Sequence, residues 1–359
     1  MFKKVALFGF LLTFLSAGLM YSQGHTESKV DSILQDYYSE NSPGVSVMIL
    51  KNGEVQISKN YGYANLEDRE AATKETNYQL ASLTGQFTAM AVMMLKDEGK
   101  ASLDQKITAV WEGLPGYCSD VTLNDLLEQS SGLPNLSYRE FYWDIRDLDD
   151  IKEFLHEHEE LRYQPGEKTN PNAVNNALMA AYVEKVSGNG YRKFVENRIF
   201  EPLGMDNSSV YKGGLFSRIS NKATGYMRQD NDQFQPASEF QKDYYEGVTG
   251  IFSSLNDLQK WMKAWDTDTL VTSSTLSQAK RINFIRGQKE FSGYGWRKAF
   301  SNGQKYLYAS GIGNGNTHII LKLPPEQIDV IILSNQYPLF GLREKAFELV
   351  NLFAEQEYE

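Results

Sequence analysis

One cysteine, four histidines and no surplus of basic residues define what this chain of 359 residues lacks. Cys118 has no second cysteine to pair with, so no intramolecular disulfide can staple the fold and stability must come from a packed core. Against 46 acidic residues stand 36 lysines and arginines, a net charge of −10, which argues against nucleic acid or an anionic membrane surface as a general partner. Histidine is too scarce for an obvious metal site. His156 and His158, in LHEHEE, lie two residues apart and diverge around a helix, so they read as a solvated face, and His25 lies near the start. No metal and no organic cofactor is implied, and neither an internal repeat nor a low-complexity linker interrupts the chain.

What is present begins with MFKKVALFGFLLTFLSAGLMYSQG: two lysines, then an apolar run shorter than the ~20 residues of a spanning helix, then small and polar residues. Residues 1–22 are expected to be a secretory signal, leaving 23–359 as one domain of a periplasmic or secreted protein with no stable membrane span after cleavage. No cysteine follows the run, which excludes lipidation at a processed N-terminal cysteine.

With 41% hydrophobic residues the chain can bury a large core. Residues 27–38 read as an amphipathic helix, and GVSVMILKNGEVQISKNYGYAN as a β-hairpin turning at Lys51-Asn52-Gly53. A helix is expected from Ser82 to Glu98, stopped at Gly99, then a mostly helical middle to about Gly204. KYLYASGIGNGNTHIILKLPPEQIDVIILSN returns to strands, and Leu342 to Glu355 closes as a helix. Strands at both ends around a helical middle predict one sheet built from both termini with a second lobe beside it.

The ordered segments PGVSVMILKNGEV, YGYANLE, YQLASLTGQFTAMAVMMLKDEGKASLD, VTLNDLLEQSSGLP, YQPGEKTNPN, FVENRIFEPLGM, GVTGIFSSLNDLQKW and ASGIGNGNTHIILKLPPEQ resemble the serine β-lactamase and penicillin-binding-protein-like family, in particular its class C and D-alanyl-D-alanine carboxypeptidase/esterase branch. The resemblance covers nearly the whole chain after the expected signal. It implies an α/β fold, a mainly antiparallel sheet flanked by helices with a helical lobe, in which Asp104 and EPLGM are fold landmarks.

The chemistry of that family makes the departures informative. A serine hydroxyl needs a proton acceptor to attack an acyl carbon, and the family supplies it with a lysine one helical turn on (S-x-x-K), a Tyr-x-Asn motif and a Lys-Thr-Gly or His-x-Gly strand. Here the first motif reads Ser82-Leu83-Thr84-Gly85: the nucleophile position is kept and the lysine is lost. Asn170-Pro171-Asn172 aligns with the second, keeping the amide at Asn172 but replacing the tyrosine by Asn170. Ala309-Ser310-Gly311 aligns with the third, without its basic side chain, and Gln129 stands where many relatives carry histidine, a change read as structural.

Groups that act as a unit fail as a unit, so an inherited pocket is expected to outlast turnover. Gly85 is expected to open space beside Ser82, while the backbone N–H groups of Ser82 and Ile312 would form the oxyanion pocket. Ser82 reads as the nucleophile-derived position as well as a helix cap, and Asn172 as either a ligand-binding amide or a loop cap. His318, which follows the third motif and is read as lying on the same strand, is the candidate substitute base against an ordinary strand-surface histidine; Tyr308 reads as packing. The expected partner is a small acyl, peptide or cell-wall-related ligand; the alternatives are an active esterase or peptidase with an unusual base, or an interaction module using its many aromatics. A protein partner is not specified by the sequence.

Overall fold

The computed structural model describes residues 24–354 except 138–139, 141–144, 146, 212–218, 238–245, 282–284, 286 and 302, so the expected signal at 1–22 lies outside the described residues. Both ends of the chain do build one sheet. Its seven strands run in the order Phe291–Gly293, Trp296–Ser301, Gln304–Gly313, Asn316–Leu323, Ile328–Ser334, Val45–Lys51 and Glu54–Tyr61, every neighbouring pair antiparallel. The α/β architecture expected from the resemblance is the one observed.

Alternation along the strands sorts side chains between two cores. Val45, Val47 and Ile49 share a face with Ile328, Val330 and Ile332, and pack under helix 24–34 and helix Leu342–Ala354. Met48, Leu50, Ile331 and Leu333 face the other way, into the larger core that holds the helical lobe. The hairpin turn falls where expected, with Asn52 and Gly53 both at positive φ (54° and 76°), as a two-residue turn between twisted strands requires.

The helix expected from Ser82 starts with a 3-10 turn, Ala81–Leu83, and continues as the α-helix Thr84–Asp97. Thr84 to Leu95 are all buried, so this helix runs through the core instead of lying on it. It packs against Ala173–Ser187, the helix that follows the second motif, and Gly99 ends it at φ 70°. His156 and His158 are exposed, and their rings bond to the backbone carbonyls of Gly113 and Phe154, as a solvated face predicts.

Candidate functional site

Ser82 is held out into a cleft by a backbone that gives it little choice. The short strand Tyr78–Gln79 pairs with Ile251–Ser253. Leu80 then donates its N–H to the Ile251 carbonyl at 2.8 Å, while the Ile251 N–H donates to Thr84 Oγ1 at 3.2 Å. Between these anchors Ala81 takes φ 48°, a left-handed conformation that costs a non-glycine residue about 1–3 kcal/mol. Ala81 and Leu83 are buried and Ser82 between them is exposed. Its hydroxyl makes no hydrogen bond among the described residues.

The third-motif strand closes one wall. It passes so near the serine turn that a Cβ at Gly311 would lie 2.1 Å from the Leu80 carbonyl oxygen, so glycine is required there by contact. Ala309, Ser310 and Ile312 line the same cleft, which encloses about 270 Å³ together with Ser82, Gly85 and Asn172. Most of the sequence-predicted positions are therefore brought together; Gly85 and Asn172 differ in how they are used, and Asn170 and His318 lie outside the lining.

The space beside Gly85 is not open. A Cβ at Gly85 would meet Asn176 Nδ2 at 2.9 Å, because the Asn176 amide occupies the volume a longer side chain at position 85 would enter. Asn176 is held there by Gln129, whose Nε2 donates to Asn176 Oδ1 at 3.0 Å. Gln129 Oε1 in turn accepts from the Asn172 backbone N–H at 2.9 Å and from Asn175 Nδ2 at 3.1 Å. Gln129 sits at φ 55°, a second strained non-glycine position at the cleft. The structural role expected of Gln129 is thus specific: it fixes a chain of neutral amides beside Ser82.

Asn172 lines the cleft, but its side chain is fully used as a cap. Oδ1 accepts from the Val174 N–H at 2.9 Å, capping the helix Ala173–Ser187, and Nδ2 donates to the carbonyls of Leu133 and Pro134 at 2.8 and 3.1 Å. Of the two roles open in the sequence, capping is the one its amide performs. Asn170 does not line the cleft; its backbone N–H donates to the Gln129 carbonyl.

His318 lies outside the cleft, on the strand paired with the third-motif strand and not on that strand itself, and neither sequence expectation for its role fits. It is 1% exposed, not a strand-surface residue, and both ring nitrogens are engaged. Nε2 donates to the Gln79 carbonyl at 2.7 Å and Nδ1 accepts from the Ser334 N–H at 3.2 Å. Burial pushes its pKa down to about 4, against the Gln79 bond that favours the cation. Protonating Nδ1 would set two N–H groups against each other, so the ring is a structural cross-tie between Gln79 and the sheet. Tyr308 packs as expected, near Phe347 and under the Arg343 guanidinium.

Sequence reasoning missed Asn176, Gln86, Trp296 and Arg297, which also line the cleft. Helical spacing held a signal for two of them, since Gln86 is four residues beyond Ser82 and Asn176 four beyond Asn172. Trp296 and Arg297 come from a distant strand with no motif to mark them. Next to them Lys298 is buried, donating to the Arg281 carbonyl at 2.6 Å; burial pushes its pKa down to about 8 against the attraction of Glu128, and it does not reach the cleft lining.

An antiparallel sheet and helical lobe meeting at a serine on a 3-10 turn define a serine β-lactamase-type scaffold, and the chain belongs to the β-lactamase family, whose model matches residues 29–355. Protein flp of Staphylococcus aureus is 26% identical over 325 residues, covering 86% of this chain and 63% of that protein. The chain thus spans less than two thirds of that relative's length. The octameric penicillin-binding protein homologue from Pyrococcus abyssi aligns over 92% of this chain and 77% of its own, at 27% identity and a TM-score of 0.78. D-amino acid amidase from Ochrobactrum anthropi SV3, solved with L-phenylalanine, shares the fold at a TM-score of 0.80 and 20% identity, over 93% of this chain and 100% of its own.

Proposed function

We propose that this is an exported β-lactamase-fold protein that has lost its acylation machinery and holds an acyl or peptide ligand in the Ser82 cleft without turning it over. One observation carries the reading. Among the described residues lining the cleft, Arg297 is the only titratable side chain, and a guanidinium does not accept a proton at neutral pH. The proton of Ser82 Oγ therefore has no side-chain base within that lining, and the positions of the absent lysine and tyrosine are bordered by amides. Export rests on the apolar, lysine-led segment 1–22, and the ligand class on the family's acyl chemistry.

The exposed, unbonded hydroxyl of Ser82 favours one second reading, an esterase or peptidase in which Ser82 uses a base from elsewhere. Treating the folded protein and Ser82→Ala with a fluorophosphonate and a fluorescent penicillin, read by intact mass, separates the two. The binder is expected to form no adduct. A stoichiometric adduct that vanishes in Ser82→Ala, or saturable ester hydrolysis that depends on Ser82, would reject it in favour of the hydrolase.

A further inference from the structure

The helix that begins beside Ser82 ends at a second depression, remote from the cleft. From Thr84 to Leu95 its axis advances about 16 Å, at the ~1.5 Å rise of an α-helix. There Lys100, Ser187, Asn189, Lys193, Asn197 and Arg198 set polar side chains around a space of about 160 Å³, and no acidic residue is among the lining. All of these except the half-buried Ser187 are exposed, so their donors are open to a ligand. In a chain of net charge −10, three cations brought together from three segments call for a cause. Two helices, Thr84–Asp97 and Ala173–Ser187, end here, and helix C-termini attract cations. Their final turns are capped by backbone instead: the Leu95 carbonyl accepts from the N–H groups of Lys100 and Ala101, and the Glu184 carbonyl from Gly188.

The local charges do not cancel. Lys100, at 2.8 Å, and Arg198 share a single carboxylate, Glu98, which leaves each with donors to spare. Lys193 makes no hydrogen bond or ion pair among the described residues. The neighbouring carboxylates are used elsewhere, Glu184 on the Tyr191 N–H at 3.0 Å and Glu196 on Arg192 at 3.3 Å. Arg198 is held in place by Glu98 and by the Phe194 ring, 5.3 Å beneath its guanidinium. Asn197 and Arg198 are carried by Glu196–Phe200, a π turn between the helices Tyr191–Val195 and Glu201–Leu203. Such turns are rare, and those that occur are frequent at functional sites. From this we infer that the depression binds a phosphate group, received by Lys100, Lys193 and Arg198 with Asn197 as a neutral donor. A phosphate dianion matches the two positive charges left after Glu98, and a guanidinium meets its oxygens in pairs. About 160 Å³ suits one small anionic group, against the roughly 300–1,000 Å³ that bury a drug-sized ligand. The site goes beyond the binder reading of the Ser82 cleft and does not depend on it.

The test is phosphorus NMR line broadening in the folded full chain, at neutral pH and constant ionic strength, with inorganic phosphate and with glycerol phosphate. Saturable broadening is expected, and the tighter of the two probes identifies the source as the free ion or a phosphate monoester. Sulfate should displace the probe and acetate, at the same concentration, should not. Lys193→Gln is the cleaner variant, because Lys193 has no partner among the described residues to lose; Arg198→Gln also removes a partner of Glu98. Each should weaken phosphate by roughly three- to tenfold, the loss of one exposed charge-assisted contact, with folding checked by thermal unfolding. Arg228→Gln, which removes an exposed cation paired with Asp232 on another strand, should leave the affinity unchanged. No saturable broadening by either probe, equal displacement by acetate, an unchanged affinity in folded Lys193→Gln, or an equal loss in Arg228→Gln would each overturn the inference. A Ser82 adduct would reject the binder reading and leave the phosphate site standing.

Discussion

Putting the lysine back at Gly85 tests whether the cleft has been rebuilt or merely emptied. In Gly85→Lys the new Cβ would lie 2.9 Å from Asn176 Nδ2 and 3.4 Å from its Cγ, and Asn176 cannot swing away without giving up Gln129. Replacing glycine in a helix gains at most about 1 kcal/mol. Forcing a side chain into filled space costs about 1–3 kcal/mol, and bringing an ammonium among amide donors adds a desolvation penalty. A net loss of about 1–3 kcal/mol is expected in urea unfolding at neutral pH, where the overpacking and charge terms outweigh helix propensity. Asn176→Ala in the same chain should recover part of it, with a favourable coupling of about 0.5–3 kcal/mol in the double-mutant cycle. Neither variant should gain fluorophosphonate labelling, because Asn170 and Ala309 still stand where the family's other proton-handling groups would be. Additive single effects, or no loss in Gly85→Lys alone, would refute the idea that Asn176 fills the lysine's volume. Labelling of Ser82 in Gly85→Lys would refute the claim that the three groups fail as a unit.

His318 should shape stability against pH without touching ligand binding. Its folded pKa of about 4 lies below the ordinary 6.5, so the neutral ring is the form the fold prefers; the contribution is fully present above about pH 6.5 and is lost as pH falls toward 4. At about 1.4 kcal/mol per pKa unit the loss approaches about 3 kcal/mol, and His318→Gln, which can keep both hydrogen bonds, should flatten that part of the stability profile. An unaltered acid slope in His318→Gln would contradict the assignment. Lys322, 2% exposed, donates to Asp329 at 2.8 Å and Asp266 at 2.7 Å, and burial raises the Asp329 pKa while Lys322 opposes the rise. Lys322→Met should cost about 3–5 kcal/mol in urea unfolding, and Lys322→Met combined with Asp329→Leu should recover most of it, since the penalty is mainly that of a stranded buried charge. Equal losses in the single and double variants would rule that cause out.

The frame of this molecule was legible because it is written in local periodicity. Alternating Val45, Val47 and Ile49 announce a two-faced strand, and Asn52-Gly53 its turn, both decided by contacts a few residues apart. Ser82 was legible as a position because the serine and the glycine that lets the strand approach it, Gly311, sit inside ordered motifs. His318 was misread because a sequence gives its strand but not what lies above that strand: only the fold brings the Gln79 carbonyl onto Nε2. Asn172 was left between two roles because an asparagine before a helix looks the same whether its amide meets a ligand or the carbonyls of Leu133 and Pro134.

The filling of the Gly85 space is the deepest of these cases, because it depends on a residue of another helix. Removing a lysine from a packed helix start leaves a volume that must be filled by water or protein, since interiors tolerate few voids. Asn176 fills it from the neighbouring helix, but a half-buried amide there needs its own partner, and Gln129, on a strained backbone at φ 55°, supplies it through Nε2 while its Oε1 receives the Asn172 N–H. Strain at Gln129 and Ala81 is worth about 1–3 kcal/mol each, more than an idle surface groove would be expected to retain. A cleft with an exposed serine, amides of fixed orientation beside it and strained backbone on both sides is what the proposed binder reading requires.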